Sequence, residues 1–265
     1  MLDRFNRRIN YLRISVTDRC NQRCCYCMPE DGVKFIKHED ILSYEEIVEI
    51  TAELVKLGIN KVRLTGGEPL VRRGIISLVS MLSKIDGIKD LSMTTNGVLL
   101  TKYAEDLKKN GLNRLNVSLD SINSAQYQKI TNTDKLKEVL GGLQAALKAG
   151  FNPIKLNCVI KESSGEKDAR EVAEFAAENG FKVRFIRRMN IAEGEFWQVE
   201  GGDGGDCRNC NRLRLSSDGR LFPCLFSDTS FSIKTLGVEK AFTQALANKP
   251  ETGKKAQNKF YTLGG

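Results

Sequence analysis

One histidine, His38, one tryptophan and five prolines stand in 265 residues, and these scarcities narrow the range of functions. A single imidazole argues against the mixed histidine and cysteine ligation common around zinc. No apolar run approaches the roughly 18 residues that a membrane span needs. The opening MLDRFNRRINYLRIS is charged and has no secretory-signal centre, so the expected compartment is the cytoplasm and no membrane partner is expected. Aromatics are few at 7%, and the 41 Lys and Arg are dispersed rather than gathered on a recognition motif, which speaks against nucleic acid. The formal charge of +8 still favours an anionic partner, leaving a phosphorylated small molecule as the better reading.

What the chain has in quantity is cysteine, eight in all, within a chain long enough for one sizeable α/β domain. With no export signal the cysteines read as metal ligands rather than as a disulfide scaffold. They cluster at both ends, with Cys20, Cys24, Cys25 and Cys27 near the start and Cys207, Cys210 and Cys224 near the end.

Hydrophobic periodicity alternates short apolar runs with helical patterns. Strands are expected over 11–16, 61–65, 91–95, 114–119, 154–160 and 182–186. Helices are expected after Ser43, whose capping box closes with Glu46, and over 74–85, 102–109, 135–149 and 168–179. This order predicts parallel pairing in a partial (β/α)6 barrel of the TIM type, with chemistry at the C-terminal strand ends. The alternation stops over the 17 residues 190–206. A hairpin at 212–222 and a helix at 238–247 follow, so a barrel region (1–189) and a C-terminal region (190–265) are expected.

Cys20, Cys24 and Cys27 form a C-x3-C-x2-C set directly after the first strand. Three soft thiolates suit a [4Fe–4S] cluster and leave one iron open for a ligand, as a catalytic site requires. Thr65-Gly66-Gly67-Glu68-Pro69 ends the second strand with a backbone a ligand can approach closely. Cys207, Cys210 and Cys224 make a second three-thiolate set, for which an iron–sulfur cluster, zinc or a redox pair stays open on spacing alone.

The first motif resembles the radical S-adenosylmethionine (SAM) superfamily. SVTDRCNQRCCYCMPEDG, KVRLTGGEPLVR, TTNG, NVSLDS, PIKLN, RFI-x-x-M, CNRLRLSSDGRL-x-x-CLF and the final Gly-Gly together resemble the GTP 3′,8-cyclase family of molybdenum cofactor biosynthesis. The resemblance implies two [4Fe–4S] clusters, held by Cys20, Cys24 and Cys27 and by Cys207, Cys210 and Cys224. It implies SAM beside Tyr26, Gly67, Ser118 and Met189, and GTP against Arg13, Arg63, Thr94, Lys155 and the segment Arg212, Leu213 and Arg214. It further implies a catalytic tail at Gly264 and Gly265, an electron donor and a downstream cyclic pyranopterin synthase as partners, and leaves a homodimer open. The reaction so implied starts with hydrogen abstraction from C3′ of GTP and closes a bond to C8. A peptide-modifying radical SAM enzyme and a non-catalytic iron–sulfur protein are the competing readings. The family usually has a longer segment between Met189 and Cys207, and an acidic residue near Arg187-Arg188.

Overall fold

In β1 (Tyr11–Ser15), β2 (Lys61–Thr65), β3 (Asp90–Thr95) and β4 (Arg114–Ser118), apolar and polar residues alternate. So do β5 (Lys155–Ile160) and β7 (Arg212–Leu215). Leu12, Ile14, Val62, Leu64, Leu91, Met93, Leu115, Val117, Leu213 and Leu215 are almost wholly buried in the main core. A parallel sheet covered on both faces normally reads as near-continuous apolar strands. The alternation therefore marks an inner face that lines a cavity and an outer face that packs on helices.

The computed structural model describes residues 1–28 and 32–264. Among them nine strands form one sheet in the order β6-β5-β4-β3-β2-β1-β7-β8-β9. Strands β1 to β6 (Lys182–Arg187) run parallel, as expected for a partial barrel. The helices α1 (Tyr44–Lys56), α2 (Ile75–Ser83), α3 (Leu100–Lys109), α5 (Leu136–Lys148) and α6 (Lys167–Glu178) follow the expected pattern within a few residues. The Ser43 capping box is present, with the Ser43 hydroxyl accepting from Glu46 N and the Glu46 carboxylate accepting from Ser43 N. One helix escaped the periodicity: α4 (Ser124–Thr131), whose polar sequence shows no apolar stripe and whose start is capped by Asn123.

The chain then returns to the sheet. β7 pairs in parallel with the free side of β1, setting Arg13 beside Arg214, and turns through Ser217–Gly219 into β8 (Arg220–Phe222). After β9 (Phe231–Ser232) come α7 (Ile233–Leu236), α8 (Val238–Ala247) and α9 (Phe260–Leu263). Residues 190–206 fold as turns held to β6 by a bridge between Phe185 and Glu200. Gly201 and Gly205 take positive φ, which explains the glycine-rich run. A second, smaller core of Ile191, Phe222, Leu225, Phe226, Ala256 and Leu263 joins this connection to the tail. No helix among the described residues is long and apolar enough to cross a membrane.

Candidate active site

The first cysteine loop leaves the C-terminal end of β1. Cys27 N and Met28 N both donate to Cys24 O, at 2.9 and 3.1 Å, folding Cys24–Cys27 into a turn. The loop is tied down from outside by α4, since Arg23 N donates to Thr131 O and Cys25 N to Ile130 O, both at 3.0 Å. The unforeseen helix is thus the clamp on the metal-binding loop. Gln22 N lies 3.4 Å from Cys20 Sγ and Asn96 Nδ2 3.8 Å, the kind of weak donation a thiolate accepts. Burial, then nearby Asp120 and the other two thiols, pushes the Cys24 thiol well up; burial and then Cys20 push Cys27 up to about 12. Three half-buried thiols that resist ionisation together become thiolates only beside a cation, as ligands of a metal would. Among the described residues, no three Cys, His or carboxylate groups converge closely enough to hold a single metal ion. The donor set, three sulfurs without oxygen or imidazole, suits a cluster.

β2 delivers the glycines against this loop. Gly67 N donates to Thr17 O at 2.7 Å and Glu68 N to Arg19 O at 2.8 Å. A Cβ at Gly67 would overlap Arg19 O, and one at Gly66 would overlap Thr17 O, so both positions require glycine. The buried Glu68 carboxylate accepts from Leu70 N at 3.0 Å, Thr95 Oγ1 at 2.7 Å and Asn96 N at 2.6 Å. Burial pushes its pKa up to about 7 against those donors. Tyr26 Oη donates to Asp120 Oδ2 at 2.6 Å, and Asp120 Oδ1 accepts from Val159 N at 2.8 Å, which joins the cluster loop to β5. Ser118 ends β4, and Met189 follows β6. Tyr26 and Met189 line a cavity of about 920 Å³ with Cys27 and Phe260.

Met189 also lines a second cavity of about 300 Å³ inside the sheet. Arg13, Arg63, Thr94, Lys155, Arg212 and Arg214 all line it, so the sheet brings together every cationic residue singled out in the sequence. Leu213 is the exception, being fully buried in the outer core. Sequence reasoning missed Tyr11, Lys61, Arg114, Asn116 and Arg184 on the same wall. Tyr11 and Lys61 lie two residues from Arg13 and Arg63 on their own strands, and Asn116 is in register with Lys155, but which face points inward is decided only by the pairing of the strands. In all, nine Lys and Arg face three Asp around this cavity, and one of those carboxylates, Asp90, is already paired with Arg114.

The wall is electrostatically incomplete. Burial, then Arg214, Arg63 and Arg212, holds the Arg13 guanidinium well below its ordinary pKa. Burial and then Arg212 bring Arg214 down to about 10, and burial followed by Arg184, Arg114 and Arg63 lowers Lys155. Asn116 turns its amide oxygen to Arg63 Nη1 at 2.9 Å and Arg184 Nη1 at 3.2 Å. Thr94 Oγ1, Tyr11 Oη and Arg184 Nε are buried without a hydrogen-bond partner among the described residues. Clustered cations and unused polar atoms together form a receptor for a polyanion.

The cysteines of the C-terminal region line this cavity, and its tail reaches Arg214 on the wall. Cys207 and Cys210 precede β7, Cys224 follows β8, and all three line the wall. Phe226 N lies 3.4 Å from Cys224 Sγ. Burial opposes ionisation of Cys210, but Lys249 and Arg212 outweigh it and bring the thiol down to about 7. At the tail, Arg214 Nη1 donates to Leu263 O at 3.2 Å and also to Gly264 O. Gly264 has φ +68°, and a Cβ there would overlap the Thr65 side chain at the end of β2. Gly265 lies outside the described residues. Cys25 is exposed and lines the outer cavity, while Cys158 is buried in the main core.

The family model described as the radical SAM superfamily matches residues 14–176. A GTP 3′,8-cyclase from Petrotoga mobilis is 38% identical over 98% of this chain and 97% of its own. One from Alkaliphilus metalliredigens is 42% identical over 86% of this chain and 84% of its own. The first of these alignments runs over 313 positions, at least 48 more than the 265 residues present here, so the chain lacks residues that the relative has. Among solved structures, Streptococcus suis SuiB bound to S-adenosylmethionine superposes with a TM-score of 0.66 at 16% identity, covering 92% of this chain and 64% of that one. Native anSMEcpe with bound AdoMet gives 0.65 at 16% identity, covering 90% and 81%. The three-cysteine loop after β1, the glycine turn after β2 and the matches over nearly the whole length make this chain a member of the radical SAM superfamily and, within it, of the GTP 3′,8-cyclase family.

Proposed function

We propose that the protein is a radical SAM GTP 3′,8-cyclase, converting GTP to 3′,8-cyclo-7,8-dihydro-GTP for molybdenum cofactor biosynthesis. The observation that carries this reading is the cavity in which nine cations face three carboxylates, opening past Met189 toward the cluster loop. A triphosphate carries several negative charges, and guanidinium forks pair its oxygens two at a time. A small, densely cationic cavity favours such a ligand over a peptide.

The chemistry supplied at Cys20, Cys24 and Cys27 is reductive cleavage of SAM to a 5′-deoxyadenosyl radical. Every other task falls to the chain. Tyr26, Gly67, Ser118 and Met189 hold SAM at the strand ends. Arg13, Arg63, Lys155, Arg212 and Arg214 anchor GTP, with the unused Thr94 hydroxyl as a further donor. Fixing the ribose against the adenosyl carbon converts a bimolecular abstraction into a local one. The tail, held by Arg214, closes the cavity beside Thr65 and excludes water.

Cys207, Cys210 and Cys224 hold a second [4Fe–4S] cluster in this reading. Support comes from their three sulfurs around one wall, the cations that favour thiolate there, and the lack of a fourth protein ligand in the motif. An open iron at that place would take the guanine base. We assign the missing residues of the alignment to 190–206, between the barrel region and the C-terminal region. An electron donor and a downstream cyclic pyranopterin synthase complete the functional setting in the cytoplasm, and self-association as a homodimer is testable by light scattering. Anaerobic incubation of the reconstituted protein with SAM, a reductant and GTP tests the function. Formation of 5′-deoxyadenosine together with a cyclised GTP product supports it, and cleavage of SAM with GTP recovered unchanged rejects it.

A further inference from the structure

The second cysteine set is fastened by two cations that the substrate assignments leave aside. Lys249 is 1% exposed, yet its ammonium meets no carboxylate among the described residues. Its Nζ donates to Arg212 O and to Pro223 O, both at 2.7 Å. Arg212 lies two residues after Cys210, and Pro223 directly precedes Cys224, so one ammonium spans the two strands of the hairpin at their metal-binding ends. Lys249 lines the same cavity wall as Cys207, Cys210 and Cys224. A buried ammonium is destabilising unless negative charge lies close, and the thiolates of this set would supply that charge.

Arg7 fastens the third cysteine. Its Nη1 donates to Cys207 O at 2.8 Å and Glu251 O at 2.9 Å, and its Nη2 to Pro250 O at 2.7 Å. Asp3 fixes the guanidinium by accepting from Arg7 Nε at 2.7 Å, while its other oxygen accepts from Phe5 N and Arg7 N at 2.9 Å. Thr252 Oγ1 then reaches Cys207 Sγ at 3.7 Å. The segment Lys249–Thr252 is therefore the common anchor of the N-terminal arm, the Cys207 loop and the hairpin.

We infer that Arg7 and Lys249 are positioning residues that hold Cys207, Cys210 and Cys224 ready to receive the second cluster, with Lys249 also balancing its charge. The inference rests on the reading of that set as a cluster site. Cations near a cluster favour its reduced, more negative form, so Lys249 also sets how easily that cluster is reduced.

The test compares the intact chain with Arg7→Met and Lys249→Met after anaerobic reconstitution, reading iron per chain, the spectroscopic signal of each cluster and the midpoint potential of the second. The intact chain is expected to hold about eight irons, and both variants to fall toward about four, with the loss confined to the second cluster. In the cluster that Lys249→Met retains, the potential is expected to move negative. If either variant does not fold, Arg7→Lys and Lys249→Arg replace it. These keep the charge but cannot reproduce the bonds, and a partial loss from the second cluster is expected. Full iron with an unmoved potential in the folded variants overturns the proposal. An intact chain with only about four irons removes the cluster itself, and the proposal with it.

Discussion

The two three-cysteine sites differ in their charged surroundings. Around Cys20, Cys24 and Cys27 burial comes first, the carboxylates of Asp120 and Glu68 and the other thiols add to it, and together they push the thiols up against the cation Arg23. Around Cys210 and Cys224 the neighbours are Lys249, Arg212 and Arg214; Cys210 comes down to about 7, while burial still pushes Cys224 up. An anionic setting disfavours adding an electron, so a cluster there becomes a strong reductant once reduced, as cleavage of a sulfonium demands. A cationic setting favours anions, whether thiolates or the phosphates of a substrate. The contrast agrees with the proposal that cleavage belongs to the first site and substrate binding to the second.

The largest effect should come from removing a ligand on either side. Cys24→Ala should abolish 5′-deoxyadenosine formation, whereas Cys224→Ala should spare uncoupled SAM cleavage while losing the nucleotide product. Equal loss of cleavage in both variants would break the division of roles. Next in size, Arg212→Ala combined with Arg214→Ala should weaken GTP binding by roughly 100-fold, since each charged hydrogen bond contributes about 1.5–3 kcal/mol. Calorimetric titration with GTP checks this, and unaltered affinity in the folded double variant would remove the assignment.

Gly264→Ala sharpens the comparison from the tail. Its φ of +68° and the overlap with Thr65 combine to expel the residue from its seat. A left-handed backbone at a residue with a Cβ costs about 1–2 kcal/mol before any overlap. Product per SAM consumed should drop about tenfold with iron content unchanged, measured by chromatography of the quenched reaction. The smallest effect is read as stability of the cluster-free protein. Glu68→Gln places an amide where Leu70 N, Thr95 Oγ1 and Asn96 N all donate, and at least one donor loses its acceptor. Thermal unfolding of the cluster-free protein should show a loss of about 1–3 kcal/mol.

The barrel was legible because alternating strands and amphipathic helices each repeat a simple period, and the capping box at Ser43 marks a helix start. The candidate metal-binding set Cys20, Cys24 and Cys27 could be picked out because its spacing lies within one loop. α4 was not, since Ser124–Thr131 carries no apolar stripe and earns its helix from packing against the cluster loop. Tyr11, Lys61, Asn116 and Arg184 were hidden for another reason: which face of a strand points inward is decided by tertiary pairing, and only the register Arg13 to Arg63 and Asn157 to Arg184 puts them on one wall. The anchoring of Cys207 by Arg7 joins residues 200 positions apart, beyond the reach of any local pattern.

The central claim, that cleavage at one site is coupled to nucleotide chemistry held at the other, is tested most directly by the yield of cyclised GTP per 5′-deoxyadenosine formed. The intact chain and Cys224→Ala should be compared anaerobically under the same reductant. The account predicts a ratio close to one for the intact chain and close to zero for the variant, with SAM cleavage persisting in both. Equal ratios in the two proteins, or cleavage in the intact chain without any nucleotide product, would contradict it.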